Sequence, residues 1–400
     1  MTRSTKGVRS ERPVALGLLR DAAFLSVVGL AIVAVATLSL LGGSLPFGLG
    51  GDGGDGGGDG GPVRTPAPSN VVIVDPRTKI PGTIAYVKSG NIWLQSGANA
   101  RQLTSGGQDA MPSWSPDGAW IYFIRTVTED GRYPWDGRAS KYQLTYPLLM
   151  RVQPTGDAAA EQLATGRFNN KLGTWFYWLR QPTLSPDGLQ MAIMSDGPDP
   201  SERNTVLQFI DPATGALTPA DVPETAPFGH QDPAWQPTGG VLLYVKNERD
   251  GARGAPAIQR LNLTTGKASA LTGPGYLGPS WSPDGEFVAA TRITSFGTDI
   301  VILDGGSGVE LLRLTSDERS FSPVWSPAGD AIAYLHVSRG IVDLRMVTLT
   351  GPGPDWTMSE PLDLTQVSGL ETGSRPVWFI PADELPTPTP NPSAAAPSVP

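Results

Sequence analysis

Cysteine is absent from the 400 residues, which excludes disulfides, thiolate metal sites, thiol nucleophiles and lipid attachment through an N-terminal cysteine together. Hydrophobic packing is the staple that remains. Histidine is scarce, with His230 and His336 the two copies. No G-x-S-x-G, H-E-x-x-H or Walker phosphate loop accompanies them, so motif-borne nucleophilic, zinc and phosphoryl chemistry has no foothold. Charged residues make up 17% of the chain and balance to −8. That is the wrong sign for a general affinity for nucleic-acid phosphates or an anionic membrane surface. What the chain has in plenty is turn chemistry, 49 Gly and 39 Pro, which points to many short connections and unstructured ends rather than two large cores.

Residues 22–42, AAFLSVVGLAIVAVATLSLLG, form the single long apolar run, 21 residues without a charge, close to the roughly 20 a helix needs to cross hydrocarbon. Arg3, Lys6, Arg9, Arg12 and Arg20 precede it. Such cations stay on the cytoplasmic side. Residues 1–21 therefore read as a cytoplasmic basic tail, 22–42 as a single-pass transmembrane signal-anchor, and the rest as extracytoplasmic at the cell membrane. A cleaved signal peptide is the competing reading, but its apolar region runs about 7 to 15 residues, and the small-residue site Ala34-Val35-Ala36 lies inside this run. Residues 43–81 read as a Gly/Asp/Pro-rich linker, because GLGGDGGDGGGDGG cannot bury apolar surface. Its Asp52, Asp55 and Asp59 lack the bidentate Glu of a calcium loop. Residues 382–400, rich in Pro and Ala, read as a disordered, extended tail.

Between these ends the chain repeats itself. PSWSPDG from Pro112, PTLSPDG from Pro182, PAWQPTG from Pro233, PSWSPDG from Pro279 and PVWSPAG from Pro323 are followed by PVWFIP from Pro376, at spacings of 70, 51, 46, 44 and 53 residues. A four-stranded propeller blade takes about 40 to 50 residues, so the first spacing implies an insertion. In each copy an apolar strand enters after Pro, and Ser-Pro-Asp-Gly turns the chain, Pro fixing φ and Gly accepting a positive φ. A second strand follows, as IYFI, MAIM, LLYV, VAAT and IAYL. Third and fourth strands come next, and helical periodicity is missing. GTIAYVKSGNIWLQSGANARQLT, from Gly82, supplies second to fourth strands without a first, and PVWFIP supplies a first alone. Joined, they complete one blade and leave no sheet edge open. The expectation is an all-β, six-bladed β-propeller over residues 82–381.

The PxWSPDG-x-x-IAY pattern resembles the WD40-like repeat of TolB-type propellers, and does so over about three quarters of the chain. The resemblance implies the propeller fold. It also implies a soluble periplasmic component of an envelope complex behind an α/β domain, where this sequence has an apolar segment and a Gly-rich linker instead.

Trp114, Trp235, Trp281, Trp325 and Trp378 share one repeat position, with Leu184 in the sixth copy. One bulky group per blade at a fixed place reads as packing between sheets rather than ligand contact. Asp117, Asp187 and Asp284 read as turn formers. Function is expected in departures from the repeat. Antiparallel order puts the second-to-third and fourth-to-first connections on one face, opposite the SPDG turns, and the long connections gather there. Two, Arg125–Tyr146 and Gly166–Gln181, come from adjacent places in the ring. They carry Tyr133, Trp135, Tyr142, Trp175, Phe176, Tyr177, Trp178 and Arg180, aromatics and a cation suited to a protein, peptide or sugar face. The alternative is that the two insertions pack together and plug the ring. His230 with Asp232 on the same face is a weak acid-base pair. The first expectation is a non-catalytic binding or scaffold module for a protein, peptide or envelope polymer, with no cofactor and no nucleic-acid partner. A carbohydrate-binding module and a metal-dependent hydrolase or lactonase-like propeller enzyme are the alternatives.

Overall fold

The second strand of each repeat is apolar without alternation, so it must be buried on both faces, and the architecture meets that demand. The computed structural model describes residues 75–386 apart from 136–137, 158, 171–172, 198–203, 223–228 and 248–255, and only the backbone at 132–135 and 138–140. The apolar run at 22–42, most of the linker and the tail beyond 386 lie outside the described residues. Among those described, no helix is long and apolar enough to cross a membrane. The chain divides into Met1–Thr78 and Lys79–Pro400, and the second unit contains the strands.

β1 (Thr83–Lys88), β2 (Asn91–Ser96) and β3 (Asn99–Gln102) begin the first blade. The second blade is β4 (Asp109–Trp114), β5 (Ile121–Trp135), β6 (Arg138–Val152) and β7 (Glu161–Thr165), followed by a hairpin of β8 (Arg167–Asn170) and β9 (Gly173–Phe176). β10 (Arg180–Leu184), β11 (Met191–Ser195), β12 (Val206–Ile210) and β13 (Leu217–Pro219) form the third. β14 (His230–Trp235), β15 (Val241–Lys246), β16 (Ala257–Asn262) and β17 (Lys267–Ala270) form the fourth, and β18 (Tyr276–Trp281), β19 (Phe287–Ile293), β20 (Thr298–Asp304) and β21 (Glu310–Arg313) the fifth. The sixth is β22 (Ser320–Trp325), β23 (Ala331–Ser338) and β24 (Ile341–Thr350), its outer edge shared by β25 (Thr357–Met358) and β26 (Leu362–Asp363). β27 (Val377–Phe379) returns to pair with β1, Thr83 opposite Phe379 and Ala85 opposite Val377. The ring closes as the repeats predicted.

Each second strand sends alternate side chains to opposite neighbours. Ile121 and Phe123 pack with Ala85, Ile92 and Leu94 of the first blade, while Tyr122 and Ile124 pack with Met191 and Ile193 of the third. Ala192 and Met194 join Leu242 and Tyr244, and Leu243 and Val245 join Val288 and Ala290. Ala289 meets Ile332 and Tyr334, and Ala333 and Leu335 meet Ile84 and Tyr86, completing the circle. The core is thus a ring of inter-blade layers. At about 25 cal/mol per Å² of apolar surface buried, these layers supply the main stabilising term.

The repeated tryptophans sit in these layers, with Trp281, Trp325 and Trp378 buried and Trp114 and Trp235 half-buried. Four also tie neighbouring stretches by their indole N–H. Trp114 donates to Val377 O (3.3 Å), Trp235 to Thr183 O (2.9 Å), Trp281 to Ala234 O (3.3 Å) and Trp378 to Pro81 O (3.0 Å). The SPDG carboxylates are turn formers: Asp117 accepts Ser115 Oγ at 2.5 Å and the Ala119 N–H at 3.0 Å, and Asp187 repeats both bonds.

The first strands differ from expectation in where they start. β4, β14, β18 and β22 begin three residues, and β10 two residues, before their Pro rather than after it. In each of these the register shifts at the residue ahead of Pro. Met111, Gln181, Asp232, Gly278 and Ser322 occupy that place with φ between 52° and 60°. A bulge is where a strand tolerates a residue without an N–H, so Pro follows the kink rather than opening the strand.

Candidate functional site

The insertion expected to be a loop over Arg125–Tyr146 is instead a raised β-arm. β5 and β6 stay paired far beyond the blade, from Ile121 opposite Val152 to Trp135 opposite Arg138. Its cross-strand pairs are polar, Thr128 Oγ1 to Thr145 Oγ1 at 2.9 Å and Gln143 to Asp130 among them. Among the described side chains one face of the arm is wet, with Thr128, Asp130, Lys141, Gln143 and Thr145 exposed, and the other is covered. β6 alternates there as Tyr142, Leu144 and Tyr146, but β5 sets Val127, Glu129 and Gly131 on that face, so the segment as a whole reads as a loop. Leu144 is its buried apolar group.

The second insertion folds as the β8–β9 hairpin and packs against the arm. The Tyr142 hydroxyl donates to Thr174 O, and the Arg167 guanidinium pairs with Glu129, which also accepts the Tyr146 hydroxyl at 3.2 Å. The two insertions therefore meet. Around the seam, Trp175 donates its indole N–H to Asn170 Oδ1 (2.8 Å), and Phe176 meets Trp178 edge-on at 5.3 Å. The Tyr177 hydroxyl donates to Thr165 O at 2.9 Å beside the Phe168 ring. Burial, then the Asp196 charge, pushes its pKa up. The Trp178 N–H donates to Asp196 Oδ1 (2.6 Å), and the Arg180 guanidinium lies 5.9 Å from the Trp178 ring. Trp175, Phe176, Tyr177, Trp178 and Tyr142 are all half-buried, packed enough to hold shape and open enough to touch something. Tyr133 and Trp135 lie near the arm's tip, opposite Ser140 and Arg138.

His230 and Asp232 share β14, but their side chains face different partners. His230 is buried, its Nδ1 accepting the Leu207 N–H at 3.2 Å and its ring 4.8 Å from that of Tyr244. Asp232 Oδ1 accepts Gln181 Nε2 (2.7 Å), and Oδ2 accepts the Gly278 N–H (3.1 Å). His336 Nδ1 lies 3.2 Å from Asp317 Oδ2 and 3.3 Å from the buried Ser320 Oγ. Both contacts fall on the same ring nitrogen, whereas a hydrolase triad needs opposite ones. Among the described residues no group of three His, Asp or Glu is placed to hold a metal.

The axis of the ring holds groups that the repeat reading passed over. β27, β4, β10, β14, β18 and β22 approach one another in turn around it. Arg375, immediately before Pro376, donates from Nη1 to Pro279 O (2.9 Å) and from Nη2 to Pro233 O (3.1 Å), linking the closing strand to the fourth and fifth blades. Gln181 and Asp232 exchange a second bond, from the Asp232 N–H to Gln181 Oε1 at 2.9 Å. A clue was present in the sequence: Pro recurs in every repeat while the residue before it runs Met, Gln, Asp, Gly, Ser, Arg. Two exposed apolar side chains were also missed, Phe296 and Val367, each 77% exposed on connections of the loop-rich face.

Six antiparallel blades around an axis, the first completed from both ends of the propeller, define a β-propeller. In fold it is TolB-like. TolB from Acinetobacter baumannii is similar with a TM-score of 0.52 at 19% identity, over 74% of this chain and 66% of that one. The putative TolB from Agrobacterium tumefaciens also gives 0.52, at 16% identity over 74% of this chain and 93% of that one. A chain of a nidogen/laminin complex gives 0.50 at 10% identity, over 74% and 97%. No protein-family model and no curated protein matches the chain.

Proposed function

We propose that this chain is a non-catalytic binding or scaffold propeller, held at the extracytoplasmic side of the cell membrane by residues 22–42. It takes a protein, peptide or envelope polymer on its loop-rich face. The observation that carries the reading is the joint arm: two insertions from neighbouring blades meet through Tyr142–Thr174 and Arg167–Glu129 and hold Trp175 to Trp178 half-exposed. Rigid aromatics beside adaptable polar groups are the usual makings of an interface hot spot. Phe296 and Val367 add separate exposed apolar side chains on the same face, on connections of the fifth and sixth blades.

The test is capture from solubilised envelope by the full-length chain, compared with the Trp175→Ala, Trp178→Ala double variant. A partner retained by the native chain and lost at least tenfold by the variant supports the reading. Equal capture removes the arm from the site. Saturable quenching of tryptophan fluorescence by envelope polysaccharide, with no protein captured, selects the sugar-binding alternative. Topology has a separate check, since Ser105→Cys introduces the sole thiol on an exposed loop. Labelling of that thiol by an impermeant maleimide on intact cells is expected. Labelling only after lysis would overturn the proposed orientation.

A further inference from the structure

A second concave surface lies on the opposite face, among the short turns. Between the fifth and sixth blades, Phe287, Trp325 and Trp356 wall a cleft of about 560 Å³, within the range of small-ligand and peptide pockets. The three rings are mutually packed, Phe287 to Trp356 at 4.8 Å, Trp325 to Trp356 at 6.0 Å and Phe287 to Trp325 at 6.4 Å. The floor carries no bulky side chain, being made of Ala328, Gly329, Gly351 and Gly353. Trp325 is 4% exposed and its indole N–H is buried, so it contributes an aromatic wall rather than a donor to the cleft. Aromatic-lined grooves are the chemistry that holds proline-rich segments in the polyproline helix.

The chain delivers such a segment to this place. β27 ends on the turn face and the backbone continues through Ile380, its direction fixed by the Glu384 N–H on Pro381 O (2.9 Å) and the Gly82 N–H on Glu384 Oε2 (3.1 Å). Leu385 packs into the layer between the first and sixth blades, and Pro386 already lines the cleft. Fourteen residues follow, TPTPNPSAAAPSVP, with Pro388, Pro390 and Pro392 at every second place. At about 3.1 Å per residue they reach roughly 43 Å, ample to run through the cleft.

We infer that residues 387–400 dock in cis, as a polyproline-type strand, in the Phe287–Trp325–Trp356 cleft of the same chain. The loop-rich face remains free, so this inference stands or falls apart from the arm.

The test uses full-length protein labelled with 5-fluorotryptophan and a nitroxide on Ser393→Cys, the one thiol in the chain. Trp356→Phe assigns the Trp356 resonance. Docking in cis broadens the Trp356 and Trp325 signals at least several-fold more than that of Trp175 on the other face. Replacing Pro388, Pro390 and Pro392 by Ala, in residues remote from the blades, is expected to restore the lost intensity. Equal intensities with and without the nitroxide overturn the inference. So does broadening in a mixture of nitroxide-bearing, non-fluorinated chain with fluorinated, label-free chain, because the tail then reaches a second copy.

Discussion

At the scale of single residues, half-buried and exposed polar groups tie the blades together. Arg375 spans two blade carbonyls across the axis, and charged hydrogen bonds of this kind contribute on the order of 1.5–3 kcal/mol each. Arg375→Ala is therefore expected to lower stability in urea by about 2–4 kcal/mol, with Arg375→Lys recovering part of the loss because one ammonium cannot match the guanidinium fork. Little or no change in the unfolding midpoint would show that the carbonyls find other donors. Asp317 behaves differently. Burial alone would raise its pKa, but bonds from His336, the Arg319 N–H and the Ser320 hydroxyl outweigh it and hold the carboxyl at about 2, below the ordinary 3.8. A depressed carboxylate stabilises the fold above its unfolded pKa and loses that contribution as pH falls through the folded one. The unfolding midpoint should drop between about pH 4 and about pH 2, and Asp317→Asn should be less stable near neutrality with a flatter acid profile.

At the scale of elements, legibility followed burial. IYFI, MAIM, LLYV, VAAT and IAYL announce themselves because both of their faces enter inter-blade layers, and the SPDG turns because Pro and Gly fix their geometry. The arm was hard to read as strand because one of its faces is wet, as at Thr128 and Thr145, and the face covered by the hairpin carries Glu129 and Gly131 on β5. The bulges were illegible because a register shift leaves no compositional trace beyond Pro itself. At the candidate site, the adjacency of the two insertions followed from repeat order, whereas the Arg167–Glu129 pair and the Asp196 anchor of Trp178 depend on side-chain placement that no spacing encodes. Since the arm extends beyond the blade core, replacing residues 128–145 by Asn-Gly, a tight hairpin turn, should shift the melting temperature by only about 2 °C. Amide exchange in β8 and β9, which lose their Tyr142 and Glu129 partners, should rise instead. A collapse of the whole melting transition would show that the arm belongs to the core.

At the scale of the whole molecule, closure is the point on which everything else rests. Trp378 belongs to the layer between the first and sixth blades and donates to Pro81 O. Trp378→Ala should cost on the order of 3–5 kcal/mol, read as a loss of urea midpoint. Ending the chain after Arg375 should expose the β1 edge and produce concentration-dependent aggregates on size exclusion. A truncated chain that stays monomeric and melts as the native one does would show that the ring does not need its seam. The seam also has a mechanical side. β1 and β27 run antiparallel with Thr83 beside Phe379, so the incoming and outgoing strands leave at one edge of the ring. Tension applied between them peels the pairs in sequence, like a zipper opened from its end, instead of shearing them all at once. A load taken on the loop-rich face and borne by the N-terminal strand would spare that zipper, because it pulls along β1 rather than apart from β27.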